Sequence, residues 1–317
     1  MKIVVLDAYA LNPGDLSWSQ LEALGETDIY ERSSATETPQ RIADADIVLT
    51  NKALLTEDII NNAARLQYIG VMATGYNIVD VNAAHKRNIT VSNVPSYSTV
   101  SVAQLTFAIM LELCVHTSLY AESVRNGEWP RSKDFSYHLL PIMELQNKTI
   151  GIIGLGQIGK AVAKIALAFG MKVLASHKHP ERDRMEGVEF TDEATCFREA
   201  DFVTLHCPLN DQNKEFVNRE LLEIIKPSAY LINTSRGPLI NEQDLADALN
   251  NSIIAGAGLD VLSSEPPAAN NPLLHAKNCL ITPHIAWATF EARSRLMQVL
   301  TDNVAAFING SPVNVVT

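Results

Sequence analysis

Short apolar runs rich in Val, Ile and Leu recur along the whole chain, and nearly all end in a polar residue or glycine. KIVVLD, DIVLTN, LQYIGVMATG and NITVSNVP form a first series; TIGIIG, MKVLAS, DFVTLHCP, AYLINTS, IIAGAGLDV and NCLITPH form a second. Runs this short and this apolar suit parallel strands covered on both faces. Helix-like segments such as KAVAKIALAFG and NEQDLADALNN lie between most of them. Alternating strands and helices require right-handed crossovers and a doubly wound parallel sheet. Two series therefore predict two α/β domains, and 317 residues are enough to give each its own core.

The joint between the series falls near residue 98. Ser101 to Gln104, SVAQ, reads as a capping box, and TFAIMLELCVHTSLYAESV continues from it as one long helix. Its apolar residues cover more than one stripe, so it is expected to be buried. At the other end, TFEARSRLMQVLTDNVAAFING reads as a helix closed by Asn309 and Gly310.

Composition narrows the partners. A net charge of -11 argues against nucleic acid and against anionic membranes, both of which reward Lys and Arg surfaces. No apolar stretch approaches membrane-spanning length, and MKIVVLDAYA reads as a strand because a signal peptide needs a longer apolar core. Cys114, Cys196, Cys207 and Cys279 lie far apart, with neither a zinc pattern nor a disulfide framework. A cytoplasmic protein is expected.

Gly154, Gly156 and Gly159 form G-x-G-x-x-G between an apolar run and a helical pattern, the context that marks a dinucleotide-binding, Rossmann-like domain. The first glycine permits the turn, the second lets the backbone approach a pyrophosphate, and the third lets helix pack on strand. The helix start at Gln157 and Ile158 then offers N–H donors. An acid normally closes the next strand and accepts from the adenosine ribose. Here Ser176, His177, Lys178 and His179 stand at that point, with Glu181 and Asp183 only further on. Strict preference for NAD is therefore in doubt, and NADP is possible, with Lys178 and a titratable His177 able to attract a 2′-phosphate. The His177–His179 pair lacks a third ligand, so no metal is expected.

Open parallel sheets bind ligands beyond the carboxyl ends of their strands. The polar residues placed there are Thr234, Ser235 and Arg236 after AYLIN, Asp260 after IIAGAGL and His284 after NCLITP, with Glu265 five residues past Asp260. This set suits hydride transfer to a 2-oxo acid. Arg236 can hold a carboxylate and polarise the ketone. His284 can give a proton to the forming alkoxide, with Glu265 fixing its tautomer. Asp260 can hold a nicotinamide carboxamide. Cys207 follows His206 directly, but adjacent strand residues point to opposite faces, so a Cys–His nucleophile is discarded.

With these residues assembled, the chain resembles the D-isomer-specific 2-hydroxyacid dehydrogenases over nearly its whole length. GIIGLGQIG, HCPLN, LINTSRGPLIN, GAGLDV, SEPP and ITPHIAW carry the likeness, with ATGYNIVDV and NVPSYSTVSVAQ in the first half. The resemblance implies Arg236, Glu265 and His284 as the catalytic trio and NAD as the cofactor. It implies cofactor contacts from Gly154, Gly156, Gln157, Ile158, Gly159, Ser176, His177, Lys178, Cys207, Pro208, Thr234, Ser235 and Asp260. It also implies a flavodoxin-like substrate domain, residues 1–98 and 290–317, around a Rossmann domain, residues 99–289, with the active site in an interdomain cleft and a homodimer as the assembly. Within the family, TNK, ATGYN and NVPSYST are most similar to the glycerate (hydroxypyruvate) dehydrogenases. The substrate carboxylate would then meet the N–H groups of Gly75 and Tyr76, while Asn51 and Lys52 follow a first-series strand and could face the same cleft, Lys52 at the substrate's far end. Glu265 separates the chain from the formate dehydrogenase branch, which has Gln there, and Gln104 stands where many relatives have Glu. Two alternatives remain at this stage: a non-catalytic, dinucleotide-sensing corepressor of the same fold, and the same chemistry on a different 2-oxo acid.

Overall fold

The computed structural model describes residues 1–316, in two compact units. One comprises Met1–Ser98 with the C-terminal segment from Ala288, and the other Thr99–Trp287. The chain returns to the first unit two residues before the expected 290.

The first unit is built on β1 (Lys2–Val5), β2 (Glu26–Ile29), β3 (Ile47–Thr50), β4 (Tyr68–Val71) and β5 (Thr90–Ser92), all parallel, in the order β2-β1-β3-β4-β5. The apolar runs place β1, β3, β4 and β5. β2, ETDI, is an edge strand with exposed and half-buried residues, and no apolar run announces it. The C-terminal helix Phe290–Ile308 packs on this sheet. Gly70 in β4 makes room for it, because a Cβ there would lie 2.6 Å from Leu49 and 3.3 Å from Leu300. Arg293, 7% exposed, ties the helix down with a two-pronged ion pair to Asp15 at 2.7 and 2.6 Å. The helix ends as expected, with Asn309 as cap and Gly310 at φ +75°.

The second unit holds β6 (Thr149–Ile153), β7 (Lys172–Ser176), β8 (Val188–Phe190), β9 (Phe202–Leu205), β10 (Tyr230–Asn233), β11 (Gly256–Leu259) and β12 (Cys279–Ile281). All are parallel, in the order β12-β11-β10-β9-β6-β7-β8. The strand order reverses between β6 and β9, the switch point where such sheets open a crevice. Register aligns Ile281, Leu259, Asn233, Leu205, Ile153 and Ser176 as one row across the sheet. Every loop named from the sequence in this unit therefore starts along one edge. Phe197 and Phe202 are fully buried beneath it, each contributing roughly 1.5–3 kcal/mol.

Two helix expectations need correction. Ser101 is not a cap: the helix begins at Thr99, and the buried Ser101 hydroxyl donates to the Ala286 carbonyl. The SVAQ spacing lies within the helix and not at its start. The long helix is also broken. It runs Thr99–Val115, His116 takes a left-handed conformation at φ 54°, and Thr117–Arg125 continues after a 57° bend. Among the described residues no single helix is long and apolar enough to cross a membrane.

Candidate active site

The glycine loop leaves β6 at Gly154, whose φ of +97° favours glycine. A Cβ there would meet the Cys207 nitrogen at 2.6 Å, so the loop lies directly against the residues after β9. A Cβ on Gly159 would collide with the Gly154 carbonyl, which is why helix Gln157–Ala168 can sit so close to its strand. Gly156 differs from both: a Cβ would meet nothing within 4 Å. It caps the helix without a side-chain hydrogen bond. Open space above Gly156 and an uncapped first turn at Gln157 and Ile158 together fit an approaching pyrophosphate.

His206, beside this loop, was not marked as a site residue from the sequence. Both its ring nitrogens are buried with no partner among the described residues, and burial pushes its pKa down to about 4. Unpaired buried nitrogens cost stability; here they stand at the switch point, as expected of a site completed by a ligand. Only its place directly after an apolar run could have pointed to it. Cys207 is half-buried and its thiol is pushed up to about 11 by burial, so it stays protonated and is no nucleophile. Its carbonyl accepts from the Ser235 hydroxyl at 2.7 Å, and Pro208 is exposed, with its carbonyl taking the Asn213 amide at 2.8 Å.

After β10, Asn233 shapes the next loop. Fully buried, it accepts from the Ser235 N–H at 3.0 Å and donates to the Arg236 carbonyl at 2.9 Å. Thr234 is buried and pairs with Thr106 at 3.1 Å. The Arg236 side chain is thereby left exposed; its guanidinium donates to the Ser235 carbonyl at 2.7 Å and has no carboxylate partner among the described residues. The next residue, Gly237, lies against the Leu262 backbone so tightly that no Cβ would fit. That contact joins the Arg236 loop to the Glu265 loop.

Glu265 accepts from the Leu262 N–H at 3.3 Å through one oxygen and meets His284 Nδ1 at 2.6 Å through the other. Nδ1–H donating to a carboxylate fixes the tautomer and leaves Nε2 for other work. His284 is held at φ 54°, unusual for a side chain of its size, with its N–H bonded to the Asp260 and Thr282 carbonyls. Asp260 is 1% exposed and accepts from Thr282 Oγ1 (2.6 Å), the Ile285 N–H (2.9 Å) and the Ala286 N–H (2.8 Å). Burial pushes its carboxyl up, against the pull of those donors. Its observed work is to clasp the turn that carries His284. The structure thus links Gly154, Cys207, Ser235, Arg236, Glu265, His284 and Asp260 in one run of touching loops along one sheet edge.

Residues 107–286 match the NAD-binding domain of the D-isomer specific 2-hydroxyacid dehydrogenases. The chain is 48% identical to a hydroxypyruvate reductase from Blautia hydrogenotrophica, across all of this chain and 99% of that one. The chain belongs to the D-isomer-specific 2-hydroxyacid dehydrogenases. It is therefore an oxidoreductase with a nicotinamide-dinucleotide domain. A glycerate dehydrogenase from Methylorubrum extorquens is 41% identical, over 90% of this chain and 91% of its own. Among solved structures, an acyclic imino acid reductase in complex with NADPH and D-Arg superposes with a TM-score of 0.87 at 33% identity, covering both chains fully. A D-lactate dehydrogenase from Aquifex aeolicus, complexed with NAD and lactic acid, gives 0.84 at 27% identity, over 98% of this chain and 96% of that one.

In the first unit the named residues behave differently from one another. Asn51 is 5% exposed and its side-chain amide donates to the Met72 carbonyl at 2.6 Å, so it braces the loop after β4. Lys52 is exposed with no ion-pair partner among the described residues. Tyr76 is 42% exposed, and the loop from Ala73 to Asn77 is pinned to Asn93 and Val94 by three hydrogen bonds: Val94 N–H to Ala73, Asn93 Nδ2 to Thr74, and Thr74 Oγ1 to Val94. Gly75 is half-buried in that pinned loop.

Around the expected ribose end, Ser176 accepts the Gly154 N–H at 2.8 Å through its carbonyl, and Lys178 is exposed. His177 does not stand free to solvent. Its Nδ1 accepts the Leu155 N–H at 3.1 Å and its Nε2 lies 2.8 Å from Asp183.

Proposed function

We propose that the protein reduces hydroxypyruvate to D-glycerate, accepts glyoxylate as well, and catalyses the reverse oxidation of the D-2-hydroxy acid. The similarity to a hydroxypyruvate reductase and a glycerate dehydrogenase supports this substrate class. The observation that carries the chemistry is the 2.6 Å Glu265–His284 pair on the same sheet edge as an Arg236 without a carboxylate partner among the described residues. The bound dinucleotide supplies the hydride. Arg236 takes the substrate carboxylate and polarises the ketone. His284 holds a proton on Nε2 and delivers it to the ketone oxygen as negative charge develops there. Glu265 keeps Nδ1 protonated through the cycle, and Asp260 fixes the imidazole's position. In the first unit, the Gly75 and Tyr76 N–H groups and Lys52 are proposed as substrate ligands.

A purely sensing role leaves the Glu265–His284 pair without a task, since dinucleotide binding needs neither residue. The test is initial rates of hydroxypyruvate, glyoxylate and pyruvate reduction with NADH and with NADPH. The reading expects hydroxypyruvate to give the highest kcat/KM; no turnover of any oxo acid by a dinucleotide-binding protein would overturn it. We also propose a homodimer formed through the second unit. Phe135 is 91% exposed there, with Trp129, Leu139, Leu140 and Ile142 exposed nearby, a patch that solution would otherwise penalise. Light scattering at the mass of one chain would sink that part. Four free thiols fit the reducing cytoplasm, where we place the enzyme.

A further inference from the structure

The acid missing from the end of β7 is present in space. Asp183, seven residues past Ser176, turns back so that its carboxylate meets His177 Nε2 at 2.8 Å. His177 in turn accepts from Leu155 in the glycine loop. The carboxylate thus stands one imidazole away from the backbone that a strand-end acid would ordinarily face. It is well enclosed, at 13% side-chain exposure against 12% for His177. Two cations hold it: Lys160, from the helix that opens at Gly156, at 2.7 Å, and Arg182 at 2.9 Å through Nε and 2.7 Å through a terminal nitrogen. Lys160, His177 and Arg182 keep the carboxyl well below the usual carboxylate range.

We propose that Asp183 is the residue that selects NADH over NADPH, an acid delivered by the loop after β7 rather than by the strand itself. This rests on reading the Gly154–Gly159 loop as the dinucleotide site. A ribose 2′-hydroxyl is a donor and suits a carboxylate neighbour; a 2′-phosphate would have to compete with Asp183 for Lys160 and Arg182, which already pair with it. Asp183 also occupies the cations that would otherwise serve a phosphate. Lys160 and Arg182, released from it, become a pair of donors suited to phosphate oxygens. His177, between the Leu155 N–H and Asp183, therefore acts as a positioning residue.

The test is binding before turnover. NADH and NADPH are titrated by nucleotide fluorescence without oxo acid, and 2′,5′-ADP and 5′-AMP by calorimetry, on the wild type, Asp183→Asn, and Asp183→Asn with Lys160→Met. The wild type should bind NADH at least about tenfold tighter than NADPH, the size of one charge-assisted bond that the phosphate fails to gain. Asp183→Asn should shrink that ratio by about tenfold or more and strengthen 2′,5′-ADP relative to 5′-AMP. The double variant should lose the gain for 2′,5′-ADP. A wild type that prefers NADPH, or an Asp183→Asn ratio equal to wild type with both nucleotides still bound, overturns the role of Asp183 alone. A wild type that binds neither nucleotide overturns the glycine-loop reading and this proposal together.

Discussion

The two sheets share a parallel, doubly wound layout, yet their switch points are finished in opposite ways. In the first unit the strand order reverses between β1 and β3. There Asp7, 9% exposed, puts its carboxylate over three successive amides: it accepts from Asn51 at 2.7 Å, from Lys52, and from Ala53 at 2.9 Å. Such a row of N–H groups is an anion nest, and the chain fills it with its own anion. In the second unit the chain leaves β6 at Gly154, with no side chain, and two residues on Gly156 faces open space. The same topology is sealed in one place and left receptive in the other. Topology alone therefore does not say where a ligand goes; the residues that follow the strand do.

This contrast can be broken most forcefully at the receptive edge. His284→Ala should cut kcat by roughly 10²–10⁴-fold, the usual worth of a placed general acid, while the Kd for NADH stays within about twofold. Equal losses in both would mean that His284 is structural. Arg236→Ala comes next: losing charge-assisted bonds of about 1.5–3 kcal/mol each should cost at least about tenfold in kcat/KM for hydroxypyruvate. Rescue by added guanidinium would locate the defect in the missing fork.

The glycines sharpen the comparison further. Gly156→Ala places its Cβ in open space, so it should weaken dinucleotide binding on the order of tenfold, about 1.4 kcal/mol, with Tm unchanged. Gly154→Ala meets backbone at 2.6 Å and a φ of +97°, so it should also lower stability by roughly 1–3 kcal/mol in denaturant titration. At the sealed edge, Asp7→Asn should cost about 1–3 kcal/mol, because a neutral amide offers one acceptor to three amides. A Tm equal to wild type would show that the nest does not need its anion.

The smallest effect concerns pH. Arg293 holds the Asp15 carboxyl below its ordinary value. A lowered folded-state pKa gives stability that is whole above the unfolded value, about 3.9, and fades as pH falls through the folded one. The Tm deficit of Asp15→Asn should thus be flat from about pH 5 to 8 and narrow below about pH 4. A deficit that grows on acidification would reverse the sign.

Sequence patterning made the two sheets and the candidate catalytic edge legible for a physical reason. A parallel strand buried on both faces has to be apolar throughout, and the chain turns polar where it leaves the sheet, so Arg236, Asp260 and His284 stood out at the ends of their runs. β2 and β8 did not, because edge strands such as ETDI and VEF keep exposed positions and imitate loops. The break at His116 was hidden for a related reason: the residues on both sides favour helix, and only one left-handed residue separates them. Asp183 was least legible. Which of Glu181 and Asp183 turns back toward His177 depends on Lys160, which lies 23 residues earlier on a different element.

His284 has a cost written into its backbone. At φ 54° it occupies a region that glycine or asparagine tolerates better, and it stays there because the Asp260 loop holds it on all sides. Glycine at 284 would fit the turn with less strain while removing the proposed proton carrier. A breeding programme that scored variants by heat resistance alone would drift toward that replacement, and its hardiest survivor would lack the imidazole that the proposed mechanism needs.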